Sequence, residues 1–197
     1  MKVRRNQVRL IAGQWRGRKL TFPDVDGLRP TGDRIRETLF NWLAPVLPGA
    51  RCLDLFAGSG ALGFEAASRG AAHVVMVEQD STAFDALQEN RILLAADQVE
   101  VVRLDALRYL QGPAEPFEIV FLDPPFGSDC LGEVCVRLQD GGWLADHARI
   151  YIETTADRSQ PAVPAGWTLL RGRQAGQVAY HLFEYDPDRA RPVSHPG

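Results

Sequence analysis

The sequence predicts an α/β fold in which helices cover both faces of a mostly parallel sheet. Two observations indicate this fold. From residue 51 onward, short apolar runs alternate with amphipathic stretches of helical spacing. The runs are 51–56, 73–77, 99–104, 117–122 and 149–153, and the helical stretches between them are 61–69, 81–95, 105–111 and 129–139. Later, a Gly-containing turn separates 167–173 from 177–185, which predicts an antiparallel pair at the sheet edge.

The first fifty residues follow a different pattern. Strand-like runs at 8–12 and 18–22 flank a glycine turn, which predicts a small hairpin. Apolar residues at helical spacing over 33–47 predict a helix that Pro48 ends. We therefore divide the chain into an N-terminal extension (1–30), a main domain (31–185) and a tail (186–197) whose lack of apolar periodicity predicts disorder.

The composition is that of a globular protein. The chain has 197 residues, 45% of them hydrophobic, and no apolar run approaches the ~20 residues of a membrane span. Its start lacks the apolar stretch of a secretory signal, so we expect a cytoplasmic protein with no membrane association. Cys52, Cys130 and Cys135 form no CxxC pair and the histidines are scattered, so no metal site is expected.

The charge is distributed unevenly. The net charge is −3, but residues 1–36 hold ten basic and three acidic side chains, whereas 37–197 hold twelve basic and twenty-two acidic ones. Such asymmetry is typical of a chain whose basic end meets a polyanion. A short basic segment that merely solvates a terminus gives the same pattern, and on charge alone that interpretation is favoured.

A glycine-rich segment follows the first apolar run of the main domain. Gly58, Gly60 and Gly63 match GxGxxG, and Glu78 lies about 20 residues beyond, as in dinucleotide-binding sites. However, Asp54 places a carboxylate where a pyrophosphate would need positive potential. A carboxylate there suits a cationic ligand, such as the amino group of S-adenosylmethionine (AdoMet).

Three acids end three consecutive predicted strands. They are Asp54, Glu78 and Asp105. Glu78 is placed to accept from ribose hydroxyls and Asp105 from an adenine amino group. Each acid alone would be interpreted as a solvated residue or a helix cap, but α/β sheets bind ligands at this edge.

A second candidate site is Asp123-Pro124-Pro125-Phe126, directly after the run 117–122. Two prolines remove two backbone donors and keep the chain extended. With the Asp123 carboxylate they form a site of hydrogen-bond acceptors, which suits the exocyclic amine of a nucleobase, and Phe126 can stack on the base. A Pro-rich turn with a buried Phe is the structural alternative.

These motifs resemble those of the class I AdoMet-dependent amino-methyltransferases. The further segments IAGQWRGRKL (11–20), LRPTGDRIRETLFNWL (28–43), GWLAD (142–146) and AGQVAYHL (175–182) resemble one family among them. That family is the RsmD family, which methylates guanine N2 in bacterial small-subunit ribosomal RNA. The resemblance extends from about residue 8 to residue 185.

The resemblance implies a Rossmann-like class I methyltransferase fold. Its sheet would be seven-stranded and mostly parallel, with an antiparallel C-terminal hairpin and a small N-terminal β-hairpin extension. It also implies AdoMet as cofactor and, as partner, the small ribosomal subunit or its assembly intermediate. We expect the protein to be a monomer. By position, the catalytic residues are Asp123, Pro124, Pro125 and Phe126, and the cofactor-binding residues are Asp54, Phe56, Gly58, Gly60, Glu78 and Asp105.

The basic N-terminal segment then gains a function. We expect it to contact ribosomal RNA through Trp15, Arg16, Arg18, Lys19, Arg29, Arg34 and Arg36. Trp15 would provide a stacking surface. Some of these arginines have a structural alternative, since Arg34 or Arg36 could pair with Glu37 or bridge toward the AdoMet pocket.

Three alternative functions remain from the residues themselves. An adenine-N6 or cytosine-N4 methyltransferase acting on DNA or RNA would use a similar acceptor site. A dinucleotide-dependent oxidoreductase would use the glycine motif, although the acids of the pocket oppose it. An inactive RNA-binding assembly factor would not need the intact Asp123-to-Phe126 segment.

Overall fold

Two β-sheets organise the protein, which a computed structural model describes over residues 5–25, 28, 30–125, 128–156 and 160–190. The smaller sheet is the hairpin of β1 (Arg5–Arg9) and β2 (Lys19–Pro23), followed by α1 (Asp33–Leu43). The larger sheet has seven strands. The remaining elements are β3 (Arg51–Asp54), α2 (Ala61–Ser68), β4 (His73–Val77), α3 (Ser81–Leu94), β5 (Val99–Val102), α4 (Ala106–Tyr109), β6 (Phe117–Leu122), α5 (Leu131–Asp140), β7 (Leu144–Thr155), β8 (Trp167–Ala175), β9 (Val178–Tyr185) and α6 (Pro187–Ala190).

The large sheet has the strand order β5-β4-β3-β6-β7-β9-β8. Strands β3 to β7 pair in parallel, while β9 pairs antiparallel with both β7 and β8. One apolar core lies between the sheet and α1, α2 and α3, and a second lies on the other face against α4 and α5. The predicted mostly parallel sheet with helices on both faces and an antiparallel edge is confirmed. No helix in the described ranges is long and apolar enough to cross a bilayer.

Several element boundaries differ from the prediction for local reasons. The hairpin strands lie at Arg5–Arg9 and Lys19–Pro23 rather than 8–12 and 18–22. The first strand ends early because the backbone N–H groups of Ile11 and Ala12 donate to the Glu65 carboxylate instead of to a partner strand. Helix α1 ends at Leu43 rather than at 47, since Pro45 has no N–H with which to continue the helix.

Two differences concern the C-terminal third. Strand β7 begins at Leu144 rather than at 149, with an irregularity where its pairing with β6 shifts. The first part of β7 has no strand-like apolar pattern, because it contains the polar residues Asp146 and His147, the latter at φ 60°. The tail was expected to be disordered from 186 onward, yet Pro187–Ala190 forms a helical turn and the Asp186 N–H donates to the Gly166 carbonyl at 2.8 Å.

A buried arginine connects the hairpin to the main domain. The Arg36 guanidinium is fully buried and donates to the backbone carbonyls of Arg9 (3.0 Å) and Thr31 (3.1 Å). It also contacts the carboxylates of Asp33 at 2.6 Å and Glu65 at 3.4 Å. Glu65, on α2, is itself fully buried. One side chain therefore joins the end of β1, the start of α1 and the helix that follows the glycine-rich segment.

The burial of Arg36 corrects its predicted role. We expected Arg36 to contact RNA, but a side chain with no exposed surface cannot reach a phosphate. Its acidic partners are Asp33 and Glu65 rather than the suggested Glu37. The other structural alternative, a bridge from Arg36 toward the AdoMet pocket, agrees better with the observed contacts. Arg36 donates to the carbonyl of Thr31, a residue that lines the cleft described below.

We predict that Arg36→Ala lowers the free energy of unfolding by about 3–5 kcal/mol, because it leaves the carbonyls of Arg9 and Thr31 without this donor and removes one of the two guanidinium partners of buried Glu65. Arg34→Ala is the matched control, since Arg34 lies exposed on the same helix and its loss should change stability by no more than about 0.5 kcal/mol. Chemical denaturation of both variants measures the difference. Equal, small effects would contradict the assigned role of Arg36.

Candidate active site

A cleft of about 650 Å³ opens at the carboxyl ends of the parallel strands. In α/β sheets this edge is where ligands bind. Six carboxylate side chains line the cleft: Asp54, Glu78, Asp80, Asp105, Asp123 and Glu153. Within the described part of the chain, the lining includes no Lys, Arg or His, and the described acids form no group suited to holding a metal ion. The cleft is therefore electrostatically suited to an organic cation or to a donor of several hydrogen bonds.

The glycine-rich turn between β3 and α2 forms one wall of the cleft. Gly60 precedes the helix with φ 77°, a left-handed conformation that disfavours other residues. A Cβ on Gly63 would lie 2.4 Å from the sulfur of Met76, so this glycine allows α2 to pack closely on β4. Gly58 lines the cleft, whereas Gly60 and Gly63, which are not among the described lining residues, serve the turn and the packing of α2.

Asp54, the last residue of β3, is buried with one oxygen satisfied. Its Oδ2 accepts from the Gly63 N–H at 3.1 Å, while its Oδ1 has no hydrogen-bond partner among the described residues. Burial raises the pKa of Asp54 to about 7; the backbone N–H groups of Phe56 and Gly63 oppose this shift, and the charge of Glu78 adds to it. A buried carboxylate oxygen without a donor indicates a position that a ligand cation or donor would fill.

Two further predicted acids are held by backbone groups. Glu78, directly after β4, accepts from Gly58 N–H and Asp80 N–H, each at 2.8 Å, which ties it to the glycine-rich turn. Asp105 caps α4 by accepting from the Arg108 N–H at 3.1 Å. Both side chains line the cleft, as the sequence predicted. Asp105 is thus a cap as well as a lining residue, so the two interpretations of this acid are compatible.

The Asp-Pro-Pro segment lies beside these acids. Asp123 follows β6, and the Thr31 hydroxyl donates to its Oδ2 at 3.3 Å. The carbonyl of Pro125 accepts from the Ser128 N–H at 3.1 Å, so part of the predicted acceptor site closes a turn. Asp123, Pro124 and Pro125 line the cleft. Phe126, the predicted stacking residue, lies outside the described residues.

Glu153, on β7, is a site residue that sequence reasoning missed. It is 6% exposed, lines the cleft, and accepts from the Tyr151 hydroxyl at 2.9 Å. Burial raises the pKa of Glu153, while the hydrogen bond from the Tyr151 hydroxyl and the nearby Thr31 hydroxyl oppose the shift. Burial also raises the pKa of Asp123, helped by the charges of Glu153 and Asp54. The sequence does contain an indication of this residue, because the apolar run 149–153 ends in an acid, as the earlier predicted strands do.

The predicted RNA-contacting residues differ in their exposure. Arg16, Arg18 and Lys19 are exposed near the tip of the hairpin, where Arg18 also donates to the carbonyl of Leu93 at 3.2 Å. Trp15 is half-buried against the first core. Arg34 is exposed on α1, while Arg29 lies outside the described residues. With Arg36 buried, the exposed basic surface is smaller than predicted.

The fold is the Rossmann-like fold of class I methyltransferases, in which the glycine-rich turn and the strand-end acids share one cleft. The chain belongs to the RsmD family, whose model, described as "Conserved hypothetical protein 95", matches residues 8–184. This confirms the family that the motifs resembled.

Named relatives agree with this assignment. The chain is 53% identical over 178 residues to "Ribosomal RNA small subunit methyltransferase D" of Escherichia coli K12, with 90% of each chain covered. It is 37% identical to "Putative rRNA methyltransferase YlbH" of Bacillus subtilis, covering 90% of this chain and 98% of the relative. The solved structure of the putative methyltransferase yhhF from Escherichia coli superposes with a TM-score of 0.87 at 49% identity, covering 92% of this chain and 99% of that one.

Proposed function

We propose that this protein transfers the methyl group of AdoMet to the exocyclic N2 amine of a guanine in small-subunit ribosomal RNA. One observation carries the proposal. The cleft combines a buried oxygen of Asp54 that has no partner among the described residues with the acceptor side chain of Asp123, and no described basic residue lines it. The name of the 53% identical relative, a ribosomal RNA small subunit methyltransferase, supports the reaction class and the substrate.

The chemistry of the cleft fits AdoMet. When bound, AdoMet supplies a methyl group on a positively charged sulfur, a donor that needs no further activation. Asp54 Oδ1 would accept from its ammonium group, Glu78 from its ribose hydroxyls and Asp105 from its adenine amine. Phe56 and Gly58 line the wall that would face the methionine portion, and Gly60 allows the turn that brings this wall to the cleft. A dinucleotide would instead bring a pyrophosphate against these acids, which is electrostatically unfavourable.

The remaining residues orient the base. Asp123 accepts a hydrogen bond from the N2 amine and takes up the proton that the amine loses. Thr31, which donates to Asp123, holds that carboxylate in place. Pro124 and Pro125 keep the backbone extended, and Phe126 stacks on the base once it has left any helical stack. Catalysis is then mostly positioning of the two reactants.

We further propose that the hairpin contacts the RNA backbone. Its exposed cations are Arg16, Arg18 and Lys19. The base of the loop is fixed to α2, where the Ser68 hydroxyl donates to the Ala12 carbonyl at 2.6 Å and accepts from the Trp15 N–H at 3.0 Å. The basic loop is therefore fixed at the last residue of α2, the end of that helix away from the glycine-rich turn. There it can contact RNA that extends beyond the cleft.

The product of the reaction tests the proposed function directly. Incubation of the protein with labelled AdoMet and small ribosomal subunits that lack the modification should yield N2-methylguanosine after nucleoside analysis. Asp123→Ala should lower kcat by about 100-fold or more, because the amine loses its orienting acceptor. N6-methyladenosine or N4-methylcytidine as product, or unchanged turnover in Asp123→Ala, would contradict the proposal.

The hairpin contacts predict a change in salt dependence. Arg16→Ala and Arg18→Ala should each reduce the slope of log affinity against log salt by about one, because each removes a phosphate contact. Arg171→Ala is the matched control, since Arg171 is exposed on β8 at the other edge of the sheet from β5 and α3. Binding to small-subunit particles over a salt series measures the slopes. Slopes like that of the unmodified protein in both hairpin variants would remove the assignment.

A further inference from the structure

We propose that Glu153 determines which base the protein methylates: its carboxylate accepts a hydrogen bond from N1–H of guanine while Asp123 binds the N2 amine. The inference rests on the proposed function and adds to it the residue that distinguishes guanine from other bases with an exocyclic amine.

The strand register brings the two acids together. Leu122 of β6 pairs with Ile152 of β7, so Asp123 and Glu153 are the next residues on neighbouring strands. Paired strands lie about 4.8 Å apart. Phe121 and Tyr151, two residues earlier, pair with each other and belong to the same apolar core. Because side chains alternate along a strand, Asp123 and Glu153 face the same side of the sheet, toward the cleft.

Two hydroxyl groups hold the pair in place. The Tyr151 hydroxyl donates to Glu153 Oε2 at 2.9 Å, and the Thr31 hydroxyl donates to Asp123 Oδ2 at 3.3 Å. Each hydroxyl supplies one proton, whereas two carboxylates offer several acceptor positions. Since no described basic residue lines the cleft, the pair retains acceptor capacity that the protein itself does not satisfy. Asp54 Oδ1, on the neighbouring strand β3 and without a partner in the described part of the chain, lies on the proposed cofactor side of the same cleft.

The bases differ in the hydrogen-bonding group beside the amine. Guanine presents two adjacent donors, N1–H and the N2 amine. Adenine presents its N6 amine beside the lone pair of N1, and cytosine its N4 amine beside the lone pair of N3. Two carboxylates match two donors, whereas a ring lone pair facing Glu153 would meet a second acceptor in a poorly solvated site. The pair therefore favours guanine over both alternative substrates.

The electrostatics of the pair are consistent with this assignment. Burial raises the pKa of both acids, and the charge of Glu153 raises that of Asp123 further. Hydrogen bonds from the base to both carboxylates would stabilise their ionised forms. Donors on the substrate thus relieve an unfavourable arrangement that exists in the protein alone.

The decisive probe is 2-aminopurine, which keeps the amine at C2 but has a lone pair in place of N1–H. Small-subunit particles carrying guanine or 2-aminopurine at the methylated position would be compared by kcat/KM. The unmodified protein should prefer guanine by about 100-fold, because a buried acceptor facing a lone pair is strongly unfavourable. Glu153→Leu, which has no acceptor, and Glu153→Gln, whose amide can turn either group to the base, should each reduce the preference at least about tenfold.

The outcomes separate this inference from the proposed function. An unchanged preference for guanine in Glu153→Gln would overturn the inference, as would an equal loss of activity on both bases, which indicates a purely structural role. Failure of the unmodified protein to methylate guanine N2 would overturn the proposed function instead. Thermal unfolding of each variant reports folding, and the Gln variant keeps the test valid where the Leu variant does not fold.

Discussion

The structure depends on negative charge buried at the carboxyl ends of β3, β6 and β7 without a basic partner among the described lining residues. Asp54, Asp123 and Glu153 lie on neighbouring strands and on one face of the sheet. Burial raises the pKa of all three carboxyls, so the folded protein bears a cost for holding them there. Proteins retain such an unfavourable arrangement of buried ionisable groups where it forms a ligand-binding or catalytic site. The nature of the ligand follows from the same constraint, because cations and hydrogen-bond donors relieve it and phosphates do not.

The same protein contains an acid that is fully compensated, and the contrast is informative. Glu65 is as buried as Asp54, but it accepts from two backbone N–H groups and from the guanidinium groups of Arg36 and Arg69. Its pairing fastens the hairpin and α1 to α2. Asp54, by contrast, keeps one oxygen without a donor among the described residues. Two buried acids eleven positions apart thus serve different purposes, one holding the fold and the other facing the cleft.

Much of this arrangement could be predicted from the sequence, because strand-end acids follow apolar runs that are visible as such. Asp54, Glu78, Asp105 and Asp123 all line the cleft as expected. Charge counting failed for Arg36, since a sum over residues 1–36 cannot show that one guanidinium is enclosed by Arg9, Thr31 and Glu65. That enclosure depends on contacts between segments distant in sequence.

Glu153 is a site residue whose importance the sequence alone does not reveal. Its position at the end of an apolar run was evident, but its significance depends on the register between β6 and β7, which places it beside Asp123. Register depends on the pairing irregularity between Phe117 and Ile119, and periodicity does not reveal such a shift. The sequence pattern predicts the order of strands and helices, but it does not show which residues face each other on two paired strands. That pairing becomes known only from the structure.

The pH dependence of AdoMet binding tests most directly the proposal that Asp54 binds the ammonium group of the cofactor. With a pKa of about 7, Asp54 is largely protonated at lower pH in the free protein, and on this proposal it would have to ionise when AdoMet binds. Calorimetric titration should therefore show a Kd that rises by up to about tenfold for each pH unit below 7 and levels off above it, until the AdoMet ammonium group itself deprotonates. Asp54→Asn should bind weakly with a much flatter profile, while Asp97→Asn, at the opposite end of the sheet, should match the unmodified protein. Tight, pH-independent binding in Asp54→Asn, or a preference for NAD over AdoMet, would contradict the account.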